Sequence, residues 1–188
     1  MPRKEGVIMR INLNDAVLMV IDFQERLAPS INEIETTVKN TVTLIEGAKA
    51  LGVPTLVTEQ YKKGIGETLP EVKEVTEGID YLEKVTFSCM DDPAISAWVK
   101  KQDRKQIILC GIEAHICVLQ TLIDLKAQGY EVYMVCDAVS SRTAFNCKTG
   151  LKRAMQEGAY LTSVEAVLFE LTRSSKHECF KTISKLIK

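Results

Sequence analysis

The chain has 188 residues, a formal net charge of -1, 46% hydrophobic residues and only 6% aromatics. That length suits one domain with an aliphatic core, and the near-neutral balance excludes the electrostatic footprint of a nucleic-acid or anionic-membrane binder. No apolar stretch approaches the ~18 residues of a membrane span, and the basic N-terminus MPRKEGVIMR has no signal-like apolar segment behind it. A cytoplasmic protein is expected, with residues 10–188 a single domain, residues 1–9 a candidate N-terminal extension and Met9 a candidate start. The six cysteines, at 89, 110, 117, 136, 147 and 179, include no CxxC pair and no Cys/His cluster at zinc spacing. Most of them read as packing residues in a reducing compartment.

Ala16 to Ile21 (AVLMVI) is an uninterrupted apolar run ending in Asp22, the pattern of a strand buried on both faces. An acid at that carboxyl end is either a site residue, because ligands of open α/β sheets bind there, or the cap of a turn into Phe23, Gln24 and Glu25. Ile34, Val38, Val42, Ile45, Ala48 and Leu51 form a helical stripe stopped by Gly52. Pro54 opens a strand over Thr55–Thr58, and Glu59–Gly66 reads as a loop at the same rim as Asp22. Thr68–Gly78 reads as irregular, with a short helix near Glu71–Thr76. A brief strand over Tyr81–Val85 then carries Lys84 to the rim with Phe87 and Ser88. A lysine in such a strand is ordinarily one that blunts a sheet edge. Asp92 caps a helix that Pro93 opens and that runs to about Lys101.

The stretch Lys105–Gln120 (KQIILCGIEAHICVLQ) reads as a buried strand over Gln106–Cys110, a turn at Gly111 and a helix with Cys117 in its first turn. Unpaired N–H groups and the helix dipole favour thiolate there, which makes Cys117 a candidate nucleophile with a lowered pKa. The alternative is an ordinary small buried residue at the start of a core helix. After Gly129 come a strand over Tyr130–Cys136 ending in Asp137, a loop over Val139–Asn146 and a helix over Lys148–Glu157. A strand over Ala159–Thr162, a Ser163-capped helix over Val164–Leu171 and a terminal helix over Phe180–Ile187 complete the chain. Alternating strands and helices, with connections too long for hairpins, predict a three-layer α/β/α sandwich. It is doubly wound and Rossmann-like, with a mostly parallel six-stranded sheet in the order 3-2-1-4-5-6. The first and fourth strands are then neighbours, so Asp22 and Cys117 should face one cleft.

Three motifs in this order resemble the isochorismatase-like hydrolases: Asp22-Phe23-Gln24 closing a strand, Lys84-Val85-Thr86-Phe87-Ser88, and Gly111-Ile112-Glu113-Ala114-His115-Ile116-Cys117-Val118. Thr58-Glu59-Gln60-Tyr61 and Asp137-Ala138-Val139-Ser140-Ser141-Arg142 are most similar to the subgroup of isochorismatase domain-containing proteins. The resemblance implies a catalytic triad of Asp22, Lys84 and Cys117, a cis peptide between Ile112 and Glu113, and a homo-oligomer. Asp22 would act as general base and acid, Lys84 would hold it ionised, and Cys117 would attack a carbonyl carbon. The backbone N–H groups of Glu113 and Cys117 are candidate oxyanion donors.

Nicotinamidases of this family bind a metal through an aspartate and histidines, but Glu59–Gly66 holds no histidine, so no metal is expected. Nor does the chain carry a GxGxxG or Walker pattern, and no cofactor is expected. His115 reads as a pocket-wall or structural residue. Phe23, Tyr61 and Phe87 are either rim aromatics walling a small pocket, with Gln24 and Gln60 supplying hydrogen bonds, or ordinary packing. The expected function is metal-independent cysteine hydrolysis of a small amide through a Cys117 thioester. The alternatives are ether hydrolysis of an isochorismate-like compound using Asp22, or a non-catalytic oligomeric binding or scaffold protein. A redox role for Cys117 finds no second cysteine nearby in sequence to resolve it.

Overall fold

The computed structural model describes residues 10–188; the candidate extension and the start at Met9 lie outside the described residues. The strands are β1 (Ala16–Ile21), β2 (Thr55–Gln60), β3 (Asp80–Lys84), β4 (Gln106–Ile112), β5 (Glu131–Ser140) and β6 (Tyr160–Thr162). They form one sheet, parallel throughout, in the order β3-β2-β1-β4-β5-β6, the order expected. The helices are α1 (Ile34–Ala50), α2 (Lys62–Ile65), α3 (Pro70–Val75), α4 (Pro93–Lys101), α5 (Leu119–Ala127), α6 (Ala144–Gln156), α7 (Val164–Thr172) and α8 (Phe180–Leu186).

The apolar run of β1 shows why the sheet lies in the middle layer. Ala16, Leu18 and Val20 enter one buried cluster with α1, α7 and α8, while Val17, Met19 and Ile21 enter a second with α4, α5 and α6. Alternate side chains point to opposite faces, so a strand apolar at every position needs helices on both sides. Caps follow the sequence where a short polar side chain precedes the helix. Asp92 accepts the N–H groups of Ala94 and Ile95, Thr143 that of Asn146, and Ser163 that of Ala166.

Several expected boundaries move. Glu59 and Gln60 extend β2 instead of opening a loop, and the loop itself contains the single turn α2. The strand expected to stop at Cys110 runs on to Ile112. Asp137 does not end its strand: β5 continues to Ser140 past an irregularity between Leu109–Met134 and Gly111–Val139 pairing. At that bulge Asp137 points outward, and its Oδ1 accepts the N–H of Val164 at 2.9 Å, tying the bulge to the first residue of α7. The following helix starts at Ala144, four residues earlier than expected, because Thr143 caps it.

Candidate active site

The site lies where strand order reverses. Ile21, the last residue of β1, pairs with Thr58 on β2 and Gly111 on β4, so Asp22 emerges between the ends of three strands. A Cβ on Gly111 would sit 2.6 Å from the Ile21 carbonyl oxygen and 2.7 Å from its Cβ, which is why glycine occupies this crossing. Asp22 adopts left-handed backbone geometry (φ 58°), tolerated by Asp better than by most residues. The kink breaks the strand's alternation. Ile21 belongs to the cluster under α4 and α5, yet Phe23, two residues on, belongs to the cluster under α1. The carboxylate between them is thereby aimed into the sheet's rim and is fully buried.

Lys84 reaches that carboxylate from two strands away. It pairs with Gln60, and β3 is separated from β1 by β2, roughly 9–10 Å at ordinary strand spacing. An extended lysine spans most of that gap. Its Nζ donates to Asp22 Oδ2 at 2.7 Å and Gln60 Oε1 at 2.6 Å, with the carbonyls of Thr86 and Phe87 each at 3.3 Å. Thr58 Oγ1 donates to the other Asp22 oxygen at 2.7 Å. Both charged side chains have no solvent exposure, so the edge-blunting reading of Lys84 is overturned by partners that only the fold supplies.

Cys117 sits in a single π-helical turn, Ala114–Val118, that precedes α5. The Ile112–Glu113 peptide entering that turn is cis. Glu113, whose N–H is a candidate oxyanion donor together with that of Cys117, flanks the turn, and its carbonyl accepts from the N–H groups of Ile116 and Val118. Thr121, one helical turn on, donates its hydroxyl to the Cys117 carbonyl at 2.7 Å. Gly150 of α6 packs against the turn so closely that a Cβ there would lie 3.0 Å from His115 Cα and 3.1 Å from Ala114 O. Cys117 is buried, at 7% exposed, and lies near enough to Asp22 and Lys84 to feel both charges.

The electrostatics correct one expectation. Burial pushes the Cys117 thiol up, and the Asp22 carboxylate pushes it further up against the pull of Lys84, so the turn does not hold a resting thiolate. Asp22 is also raised: burial outweighs the opposing help of Lys84, Thr58 and Cys117. Burial pulls Lys84 down, but attraction to Asp22 outweighs it and raises the ammonium above its ordinary value. A raised carboxylate beside a raised thiol, with a fixed cation, is an arrangement in which one proton can move from sulfur to oxygen.

The remaining expected residues fall into two groups. Phe23 is not a rim aromatic, because the kink at Asp22 turns its ring wholly into the core with Ile31 and Val72. Gln24 and Gln60 are buried and committed to the protein. Gln24 donates to the carbonyls of Gln60 and Gly66 and accepts the Gln60 N–H, while Gln60 holds Lys84 and the Val85 carbonyl. Tyr61 and Phe87 are exposed, at 49% and 57%. The Glu113 carboxylate pairs with the Arg142 guanidinium at 2.8 Å, and His115 Nδ1 meets Ser141 Oγ at 3.0 Å and not the thiol. Among the described residues no group of three or more His, Cys, Asp or Glu side chains is placed to hold a metal ion. A groove of about 600 Å³ lined by Ile34, Val38, Val42 and Leu69 lies over the α1 face, which is opposite the thiol. Thr58 is quoted in the sequence only as part of a motif, without a role at Asp22, and Cys89, Thr121 and Gly150 are given no site role there; of these three only Thr121 carries a signal, its i+4 spacing from Cys117.

Against known proteins, the isochorismatase domain family matches residues 16–166. Isochorismatase domain-containing protein 2 of Danio rerio is 39% identical over 180 residues, covering 96% of this chain and 90% of that protein. The secreted isochorismatase effector Isc1 of Phytophthora sojae is 40% identical over 184 residues, covering 95% and 87%. Among solved structures, the MAR1 ribonuclease of Caenorhabditis elegans superposes with a TM-score of 0.89 at 42% identity, covering 95% of this chain and 92% of that one. The octameric YcaC hydrolase of Escherichia coli shares the fold, with a TM-score of 0.91 at 24% identity, covering 98% and 91%. A strand-end aspartate, a buried lysine two strands away and a cysteine turn at the switch point thus sit in a chain that matches along most of its length: it belongs to the isochorismatase domain family of hydrolases.

Proposed function

We propose that the chain is a metal-independent cysteine hydrolase that cleaves the C–N bond of a small amide through a thioester on Cys117. The observation that carries this reading is the buried Lys84–Asp22 pair at 2.7 Å, set at the switch point beside the turn that holds Cys117. Asp22 takes the thiol proton as sulfur attacks the carbonyl carbon, and the total charge of the three groups does not change. The backbone N–H groups of Glu113 and Cys117 receive the oxyanion. The C–N bond then breaks, Asp22 returns its proton to the departing amine, and water activated by Asp22 opens the thioester. Lys84 keeps the charge of the pair constant, and its other partners hold it in place.

A second reading, ether hydrolysis with Asp22 as the acid, is favoured by one observation, the complete burial of Asp22, which raises its affinity for a proton. Ammonia release from a panel of small amides, compared between the wild type and Cys117→Ala, separates the two. The covalent reading requires loss of release in the variant; equal release in both removes sulfur from the mechanism. RNA cleavage, suggested by the name of the nematode relative, is less well supported, because the one lysine buried among the described residues is already paired with Asp22. We further propose a reducing, cytoplasmic setting, supported by six free thiols, and a homo-oligomer. No helix among the described residues is long and apolar enough to cross a membrane. Cell fractionation and sedimentation of the purified chain test location and assembly.

A further inference from the structure

We propose that Cys89 is the partner of Cys117 in an intrachain disulfide, an oxidative modification that occupies the nucleophilic sulfur and switches the site off. The bond itself stands on the Thr121 bridge between the two backbones and on their shared buried cluster; only its effect on turnover rests on the hydrolase reading above.

Cys89 lies in a short turn, Cys89–Asp91, between the Lys84 segment and α4, and is fully buried in the same apolar cluster as Cys117. One hydroxyl holds the two backbones together. Thr121 Oγ1 accepts the Cys89 N–H at 2.9 Å and donates to the Cys117 carbonyl at 2.7 Å. Both residues also pack in one apolar cluster, with Val118, Leu119 and Leu122 of the turn and α5 and Met90 and Ile95 on the other side. Beyond the effect of burial, the Asp22 carboxylate pushes both thiols up and the Lys84 ammonium pulls both down, so the two sulfurs share one electrostatic environment. The other cysteines are elsewhere. Cys110 belongs to the opposite face of the sheet, Cys136 and Cys147 line a separate pocket with Asn32 and Asn40, and Cys179 bonds the Ala50 carbonyl. The fold therefore supplies the resolving thiol that is distant in sequence, twenty-eight positions upstream of Cys117.

The chemistry balances with a small hydroperoxide as oxidant. Cys117, deprotonated by Asp22, attacks one peroxide oxygen. The O–O bond breaks, an S–O bond forms, sulfur loses two electrons, and the alcohol or water leaves with the proton from Asp22. The Cys89 sulfur then attacks the sulfenic sulfur. The S–S bond forms, the S–O bond breaks, and hydroxide departs as water with the Cys89 proton relayed through Asp22. Burial pushes Cys89 to about 12, so it rests as a protonated thiol and gives up its proton only in the second step. A dithiol reductant reverses the bond. Because the disulfide forms at the sulfenic stage, it also spares Cys117 from irreversible oxidation to the sulfinic acid.

The test is a peptide map of the full chain treated with limiting hydrogen peroxide, thiol-blocked and digested without reductant. The expected product is a linked pair of peptides containing Cys89 and Cys117, abolished by dithiothreitol. In Cys89→Ala the same dose should carry Cys117 on to sulfinic acid that dithiothreitol does not reverse. Sulfinic Cys117 in the wild type with no link to Cys89, or a link from Cys117 to any other cysteine, would overturn the proposal. The wild-type map decides this even where the variant folds poorly, and it needs no substrate. A disulfide in a protein that hydrolyses no amide would therefore refute the hydrolase reading alone.

Discussion

Replacing Lys84 with Met tests the electrostatic core of the site, because methionine keeps most of the lysine's length while deleting the ammonium. The change strips Asp22 Oδ2 and Gln60 Oε1 of donors at 2.7 and 2.6 Å in a place with no solvent to replace them. Breaking a buried ion pair from one side costs about 3–5 kcal/mol, a large part of the roughly 5–15 kcal/mol that holds a domain folded. The loss should depend on pH, with a definite sign. Asp22 already binds its proton more tightly folded than unfolded, and losing Lys84 removes the strongest influence holding it down. Between 3.8 and the folded value the native state carries the extra proton, so stability falls as pH rises, by about 1.4 kcal/mol per unit inside that window. Urea unfolding of Lys84→Met between about pH 5 and pH 8 should therefore show its largest deficit at the alkaline end. Adding Asp22→Asn to it should recover much of the deficit, because the orphaned charge is gone. A deficit independent of pH, or one that simply adds to that of Asp22→Asn, would refute the coupling.

Gly150→Ala should lower turnover and cost about 1–3 kcal/mol, because the new Cβ presses on the Ala114–His115 backbone that carries the nucleophile turn; paired thermal melts and rate measurements check it. Thr121→Val should destabilise by about 1–3 kcal/mol by leaving the buried Cys89 N–H unpaired, and should slow formation of the Cys89–Cys117 link relative to total Cys117 oxidation. Turnover should rise with pH through an apparent value above the ordinary carboxylate range, because Asp22 must be ionised to take the thiol proton and burial raises it. A pH–rate profile already flat from the normal carboxylate range upward would count against Asp22 as the base. Prolonged treatment with a strong chelator should leave turnover unchanged, and loss restored by a divalent cation would contradict the metal-independent reading.

The sheet was readable because its strands are long apolar runs separated by helical stripes, and burial on both faces leaves that pattern in the residues themselves. Asp22 and Cys117 were readable as neighbours for a topological reason, since the first and fourth strands meet at the switch point. Asp137 misled because an acid after an apolar run looks like a strand end; the bulge that turns it outward toward α7 depends on pairing with β4. Lys84 looked like an edge lysine because its partners lie sixty-two and twenty-four residues away. The protonation of Cys117 escapes the sequence for the same reason: the turn's N–H groups are local, whereas burial and Asp22 are not. Phe23 shows how one backbone angle can invert a reading, since the left-handed Asp22 sends the ring into the core.

The account depends on sulfur forming a bond to the substrate with Asp22 receiving its proton. Intact-mass analysis of the chain, acid-quenched during turnover of an amide that releases ammonia, reads this directly. The prediction is an acyl adduct that maps to Cys117, accumulates far more slowly in Asp22→Asn and is absent in Cys117→Ala. Turnover with no adduct on any quench time, or an adduct on another residue, would contradict it.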